Sequence, residues 1–329
     1  MSAPEKRDVL GLADLDSSLP SLLARAAEMK RARRGGDLSA VRPGRNVGMI
    51  FEKPSTRTRT SFEVASNDLG AHALYLSPKD MQLGRGETIA DTARVLSRYL
   101  DAIVYRAFRS TDMAELARWT SIPVINALDD REHPCQIVAD LLTLQERWHG
   151  FTGHRLAWIG DGNNVCNSLM LGCAIVGLDF SGAIPEAYRP PAGVLEAARK
   201  YAARSGSSIE LTPSPQKAVN GADALYTDVW VSMGDEAEEA GRTAAFQGYQ
   251  INRKLLASAK PGALVLHDLP AHRGLEITDE VIDGPQSVVW DEAENRLHAQ
   301  KAILEWVLPA TRAGAAPSAS REGARRKRV

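Results

Sequence analysis

The run Ser55-Thr56-Arg57-Thr58-Arg59 sets three hydroxyls and two guanidiniums in succession where an apolar stretch gives way to helical periodicity. Pro54 ends the preceding strand and Ser55 is placed to cap a helix that buries Phe62, Ala65 and Leu69 before Gly70 stops it. Free N–H groups of a first helical turn, hydroxyls and guanidiniums together form a cradle for a phosphate. The plainer reading is a capped, solvated helix start, and the density of donors favours the anion site. Arg106 closes the strand-like Ala-Ile-Val-Tyr-Arg, where a cation would point into the crevice of an α/β domain. His133-Pro134-Cys135-Gln136 follows a second apolar run and opens the helix that carries Ile137, Leu141 and Leu144. There His133 and Gln136 suit hydrogen bonding to a carbonyl oxygen. Cys135 has no base beside it and reads as a buried thiol.

The second half holds three further groups. Gly160-Asp161-Gly162-Asn163-Asn164 departs from G-x-G-x-x-G, so a dinucleotide site has little support, and its asparagines either hold a ligand's polar end or cap a helix. Asp228 ends an apolar run ahead of Val229-Trp230-Val231-Ser232-Met233-Gly234, a place where a carboxylate can meet a substrate ammonium. The segment 234–248 reads either as a mobile lid or as a solvated loop. His267-Asp268-Leu269-Pro270-Ala271-His272-Arg273 clusters metal-ligating types, but no H-E-x-x-H or C-x-x-C accompanies it, and no metal is expected.

Strands are expected over 46–51, 73–77, 102–106, 123–127, 155–160, 208–212, 222–228, 263–269 and 287–290. Helices are expected near 18–34, 56–69, 88–100, 136–148, 164–176, 192–203 and 294–308. This alternation predicts an α/β protein of two domains, each a mostly parallel sheet flanked by helices, with the active site in the interdomain cleft. Turn residues near 149–153 divide residues 1–148 from 149–293. A basic tail over 313–329, without an apolar face, is expected to be disordered.

The 329 residues carry a formal net charge of -1, with 44% hydrophobic and 25% charged residues. That balance gives no reason to expect nucleic acid or membrane as a partner. Three cysteines without C-x-x-C spacing, and no basic-then-apolar leader, suit a reducing cytoplasm.

Taken in order, Ser55–Thr58, Gln82-Leu83-Gly84-Arg85-Gly86-Glu87, Arg106, His133–Gln136, Gly160–Asn164, Asp228–Gly234 and Glu294–His298 make the chain similar to the aspartate/ornithine carbamoyltransferase family. The S-M-G motif sets it on the ornithine branch. The resemblance implies a first domain for carbamoyl phosphate, a second for the amino acid, and a last helix, about 294–309, that returns to the first domain. It implies a homotrimer in which Gln82 serves a neighbour's site, and no cofactor or metal. At matching positions Ser55, Thr56, Arg57, Thr58 and Arg106 would hold the phosphate, with His133, Gln136 and Arg296 completing the carbamoyl phosphate site. Asn164, Asp228, Ser232 and Met233 would grip the amino acid. The expected reaction carries the carbamoyl group to the side-chain amine of L-ornithine, giving L-citrulline and phosphate, with Arg57, Arg106, His133, Asp228 and Asp268 at the reacting centre.

One position departs from the family. Its motif reads His-Cys-Leu-Pro, and here it is His267-Asp268-Leu269-Pro270. In the family that position lies near the attacking amine, and the backbone that Asp268 and Leu269 supply here helps hold carbamoyl phosphate. An ionised Asp268 beside Asp228 would hold an ammonium in its charged form, by up to ~4 kcal/mol for a unit pair at about 4 Å. Three readings follow: a protonated or averted Asp268 in an ornithine enzyme, an enzyme for another amine or a guanidino amino acid, or a ligand-binding homologue without catalysis.

Overall fold

The computed structural model describes residues 6–38, 41–83, 86–231 and 236–308. Its strands are β1 (Asn46–Phe51), β2 (His72–Leu76), β3 (Ala102–Arg106), β4 (Val124–Leu128), β5 (Arg155–Ile159), β6 (Asp179–Ala183), β7 (Ile209–Thr212), β8 (Ala224–Tyr226) and β9 (Leu264–Leu266). The helices are α1 (Leu19–Arg34), α2 (Thr56–Asp68), α3 (Ile89–Leu96), α4 (Ser110–Trp119), α5 (Pro134–Trp148) and α6 (Asn164–Val176). They continue with α7 (Ala192–Ser205), α8 (Pro215–Val219), α9 (Glu239–Ala245), α10 (Arg253–Leu256), α11 (Asp279–Ile282) and α12 (Val289–Val307).

The strands form two parallel sheets, β2-β1-β3-β4 and β7-β6-β5-β8-β9. Strands buried on both faces need helical crossovers, and the near-continuous apolar runs of β1, β3 and β5 meet that need. In each sheet the strand order reverses beside its first strand, at β1/β3 and at β5/β8. Crevices open at the carboxyl ends of strands at such reversals. The Ser55 and Arg106 segments leave the first reversal, and the Gly160–Asn164 and Asp228 segments leave the second.

Three expectations are corrected. Ser287–Trp290 is not a strand: Ser287 makes an isolated bridge to Val265, and Val289 already begins α12. Val288 and Val289 are buried there, so the apolar doublet serves tertiary packing, which overrides its β propensity. The segment 234–248 contains α9. Strand β6 was not anticipated because its centre is Ser181-Gly182, and a Cβ at Gly182 would lie 2.8 Å from Leu211. The tail 313–329 lies outside the described residues.

Helix α12 packs against α1, α2 and α5, all associated with the first sheet. It starts beside the second sheet, where the Glu292 carboxylate accepts the His267 N–H at 3.0 Å. One helix therefore reaches both walls of the cleft.

Candidate active site

Ser55 sits in extended backbone and its Oγ accepts the Thr58 N–H at 3.3 Å, which makes it the cap of α2. Thr56 is the exposed first helical residue. Thr58 is buried, and its hydroxyl accepts from Arg296 at 3.0 Å. Arg57 reaches across the cleft and donates to the Leu269 carbonyl at 2.5 Å. Arg106 ends β3 at 8% exposure with a buried Nε that has no partner, and Arg296 at 4% is in the same condition. Burial, with Arg296 second, lowers Arg106 to about 10, so it is still charged at neutral pH.

His133 precedes α5, is buried, and donates its backbone N–H to Ser168 Oγ at 2.9 Å. Its Nδ1 is buried and unpartnered. Burial first, and then Arg296, Arg106 and Arg57, push the imidazole well below its ordinary value, so the ring is neutral. Gln136 accepts from Arg296 through Oε1 and donates to Asp140 at 2.8 Å and Glu292 at 3.1 Å. Arginines 57, 106 and 296 thus stand around one neutral imidazole at the first sheet's reversal.

On the facing wall, Asp228 follows β8. Its Oδ2 accepts from Asn163 at 2.8 Å and its Oδ1 from the Val229 N–H at 2.7 Å. Asp268 follows β9 with its side chain 12% exposed, and a carboxylate oxygen of each of Asp228 and Asp268 lies within 4.8 Å of the other. Its Oδ1 is buried without a hydrogen-bond partner. Burial, and then Asp228, push the Asp268 carboxyl well above the carboxylate range. Behind it the Tyr226 hydroxyl meets Asp140 and Glu292, each at 3.1 Å. Burial raises Asp140 to about 7, and burial together with Asp140 raises Glu292 well above its ordinary value.

Ligating atoms of Asp228, His267 and Asp268 lie within 4.8 Å of one another. His267 is nonetheless committed: Nδ1 accepts the Leu269 N–H at 2.9 Å and Nε2 faces Glu276 at 3.1 Å. That pattern assigns the proton to Nε2 and leaves neither nitrogen for a metal. His272 and Arg273 face away, exposed, with Arg273 paired to Asp279 and Asp283. Leu269 has φ 58, a left-handed conformation that costs on the order of 1–3 kcal/mol in a side-chain-bearing residue. His267 and Arg57, bonded to its N–H and C=O, hold it there.

The amide of Asn164 donates to the Asp129 carbonyl at 2.7 Å and its Oδ1 accepts the Val165 N–H at 3.0 Å. Asn163 is the residue that reaches Asp228, while its Oδ1 caps α6. Gly162 lets this turn close, since a Cβ there would stand 2.4 Å from the Tyr188 carbonyl. Gln82 is exposed beyond β2, and among the described residues its side chain has no hydrogen bond to the cleft. Ser232 and Met233 lie outside the described residues. Sequence reasoning missed Asp140, Tyr226 and Glu292, and it left open whether Asn163 and Asn164 meet a ligand or cap a helix. It also missed Arg242, which pairs with Asp161 at 2.6 Å and lies over the Tyr188 ring. Only Asn163 carried a local signal, its capping position.

Two family models match the chain: the carbamoyl-P binding domain of aspartate/ornithine carbamoyltransferase over residues 7–146, and the Asp/Orn binding domain over 152–307. The ornithine carbamoyltransferase of Methanoculleus marisnigri is 54% identical over 300 residues, 91% of this chain and 96% of that protein. A catabolic ornithine carbamoyltransferase of Thermoplasma acidophilum is 52% identical over 303 residues, 92% of this chain and 99% of that one. Among solved structures, the Pyrococcus furiosus ornithine carbamoyltransferase superposes with a TM-score of 0.90 at 50% identity, over 94% of this chain and 99% of that one.

Proposed function

The chain belongs to the aspartate/ornithine carbamoyltransferase family, and on that premise we propose that it transfers the carbamoyl group of carbamoyl phosphate to the side-chain amine of L-ornithine, giving L-citrulline and phosphate. One observation carries this reading: three guanidiniums and a neutral imidazole face an aspartate pair across one cleft. Such an arrangement fits a dianion on one wall and an ammonium on the other.

The phosphate is held by the capped start of α2, through Ser55, Thr56, Arg57 and Thr58, together with Arg106. His133, Arg296 and Gln136 take the carbamoyl end, where a neutral imidazole donates to the carbonyl oxygen without adding charge. The backbone at Asp268 and Leu269 completes that pocket. Arg57, which bonds Leu269 in this structure, exchanges that carbonyl for phosphate. The amino acid is gripped by Asp228, oriented by Asn163, with Asn164, Ser232 and Met233. The amine attacks the carbamoyl carbon, negative charge grows on the carbonyl oxygen, and phosphate leaves. Fixed donors aimed at that charge contribute a few kcal/mol each, and the cleft supplies orientation. No step requires a covalent enzyme intermediate, a metal or a cofactor.

Residues 1–148 with α12 form the carbamoyl phosphate domain and residues 149–293 the amino-acid domain in this reading. The assembly is a cytoplasmic homotrimer, with Gln82 completing a neighbour's cleft. The test is phosphate release and citrulline formation from carbamoyl phosphate with L-ornithine, L-aspartate, L-lysine and L-arginine as separate acceptors, alongside the mass in solution. Ornithine-dependent turnover is expected. Preference for another acceptor, or binding of carbamoyl phosphate without turnover, would overturn the assignment.

A further inference from the structure

The Gln136 amide is hydrogen-bonded at both ends. Its Oε1 accepts from Arg296, while its Nε2 donates to Asp140 Oδ1 at 2.8 Å and to Glu292 Oε1 at 3.1 Å. Asp140, Tyr226 and Glu292 are buried. The Tyr226 hydroxyl oxygen lies 3.1 Å from both Asp140 Oδ2 and Glu292 Oε1. It has a single hydrogen, so the second of those contacts is a hydrogen bond only if a carboxyl oxygen carries one. We propose that Asp140 and Glu292 are positioning residues of the carbamoyl phosphate site: Asp140 is a neutral acid that donates to Tyr226, Tyr226 donates to an ionised Glu292, and the pair holds the Gln136 amide with its oxygen on Arg296. This inference rests on the ornithine reading above and adds to it what aims the guanidinium that meets the substrate.

Two adjacent buried carboxyls do not both ionise readily, and burial raises both of these, so one of the two keeps a proton. The donors decide which. Glu292 faces three: the His267 N–H at 3.0 Å on Oε2, and Gln136 Nε2 and the Tyr226 hydroxyl on Oε1. Asp140 meets Gln136 Nε2 on Oδ1 and the tyrosine hydroxyl on Oδ2. Three donors favour the charged form of Glu292. A hydrogen on Asp140 Oδ2 then turns the remaining oxygen–oxygen contact into a hydrogen bond. Around the pair stand Arg296, one turn beyond Glu292 on α12, Asp268 beyond β9 and the Cys173 thiol on α6.

The hold matters because the two ends of an amide are nearly the same shape. Turned the other way, Gln136 would set its NH2 against the Arg296 guanidinium and its oxygen against two carboxyl oxygens. Asp140 and Glu292 exclude that orientation. Arg296 is thereby fixed between Gln136 Oε1 and the Thr58 hydroxyl, its second acceptor at 3.0 Å. The neutrality of Asp140 serves the same end. Its charge, when present, acts directly on Arg296, and an ionised Asp140 would compete with phosphate for that guanidinium. The network draws on both walls of the cleft: Gln136 and Asp140 lie on α5, Glu292 and Arg296 on α12, while Tyr226 ends β8 and His267 follows β9.

The experiment compares Asp140→Asn, Asp140→Leu and Glu292→Gln with the unmodified enzyme, by steady-state kinetics and by infrared difference spectra near neutral pH. Asparagine has the shape of the neutral acid: its oxygen accepts from Gln136 and its NH2 donates to Tyr226. Asp140→Asn is therefore expected to hold kcat/KM for carbamoyl phosphate within about threefold of the unmodified value. Asp140→Leu and Glu292→Gln should lose roughly ten- to hundredfold, as when a buried polar group is left without its partner. KM for ornithine at saturating carbamoyl phosphate should move by less than about threefold in all three, which separates positioning from general loosening. In the infrared, Asp140→Asn should remove a protonated-carboxyl C=O band and Glu292→Gln an ionised-carboxylate band. An active unmodified enzyme in which Asp140→Asn does no better than Asp140→Leu, or in which Asp140→Leu keeps its kcat/KM, would overturn the inference alone. So would loss of an ionised-carboxylate band in Asp140→Asn. If Asp140→Leu does not fold, Tyr226→Phe carries the kinetic test, and an unchanged kcat/KM for carbamoyl phosphate there overturns the inference equally. An unmodified protein inert with ornithine overturns the functional reading, and the positioning role with it.

Discussion

Arg106 and Arg296 carry charge at 8% and 4% exposure with Nε atoms that have no partner, a condition that costs several kcal/mol per ion until a counter-charge arrives. On the opposite wall, burial and then Asp228 raise the Asp268 carboxyl well above the carboxylate range. Arg106→Lys keeps the charge and loses the planar fork. Steady-state kinetics should show kcat/KM for carbamoyl phosphate lower by roughly 10²–10³-fold, while melting temperature holds or rises. Wild-type kcat/KM in that variant would remove Arg106 from the phosphate site. Glu132, next to His133, tests pH instead. Its Oε2 accepts from the Leu12 N–H at 2.9 Å and the Ser168 hydroxyl at 3.1 Å, yet burial raises it to about 7. A folded-state value above the unfolded one means that the native protein binds the proton more tightly. The contribution is therefore full below about 4.5 and lost as pH rises through about 7, a change of at most about 3 kcal/mol. Glu132→Gln retains an acceptor for both donors and removes the titration. Its melting temperature between about pH 5 and 8 should be flatter than that of the unmodified protein, and parallel curves would place the pH dependence elsewhere.

At the start of α6, one side chain joins helix capping to the orientation of Asp228. Asn163 Oδ1 caps the helix by accepting the Cys166 N–H at 3.0 Å, and its Nδ2 orients Asp228. Serine is an equally good cap but lacks the second arm. Asn163→Ser should melt within a degree or two of the unmodified protein yet show a KM for ornithine roughly tenfold higher. Asn163→Ala should show that KM rise and also lose about 1 kcal/mol of stability. Equal KM values in all three proteins would detach Asn163 from amino-acid binding. This turn was half legible in the sequence, where paired asparagines after a strand announced a cap or a ligand contact without saying which residue did which. Strands β1 and β3 and the start of α2 were legible because apolar runs, Pro54 and Ser55 act locally. Strand β6 and the early start of α12 were not, because Gly182 and Val288–Val289 are chosen by what they touch. The same holds for Asp140 and Glu292. Each is a carboxylate within a helical pattern, where sequence suggests a solvated face, and only the packing of α5 against α12 buries the two together.

Across the whole molecule, α12 ties the sheets into one machine, and the tie is polar as well as apolar. Lys30 reaches Asn295 at 2.8 Å, Arg42 donates to the carbonyls of Glu305 and Leu308, and Lys301 reaches Asp68 at 2.9 Å on α2, where Arg33 also pairs. Burial opposes ionisation of Asp68, but Arg33 and Lys301 outweigh it and hold the carboxyl below its ordinary value. The stabilising charge is consequently present at neutral pH and lost in acid. Asp68→Asn leaves a buried Lys301 facing a neutral amide, a change that costs roughly 3–5 kcal/mol when a buried partner is removed. The effect should not stop at stability. Arg296 lies on the same helix as Lys301, bonded to Thr58 at 3.0 Å, and Thr58 and Asp68 are both on α2. Loosening α12 from α2 at one end therefore shifts the Arg296 guanidinium at the other. For Asp68→Asn, kcat/KM for carbamoyl phosphate should fall several-fold below what the folded fraction accounts for, measured well under the melting temperature. A destabilised variant with unchanged kcat/KM would mean that α5, through Gln136 on Arg296, positions that guanidinium without help from α2.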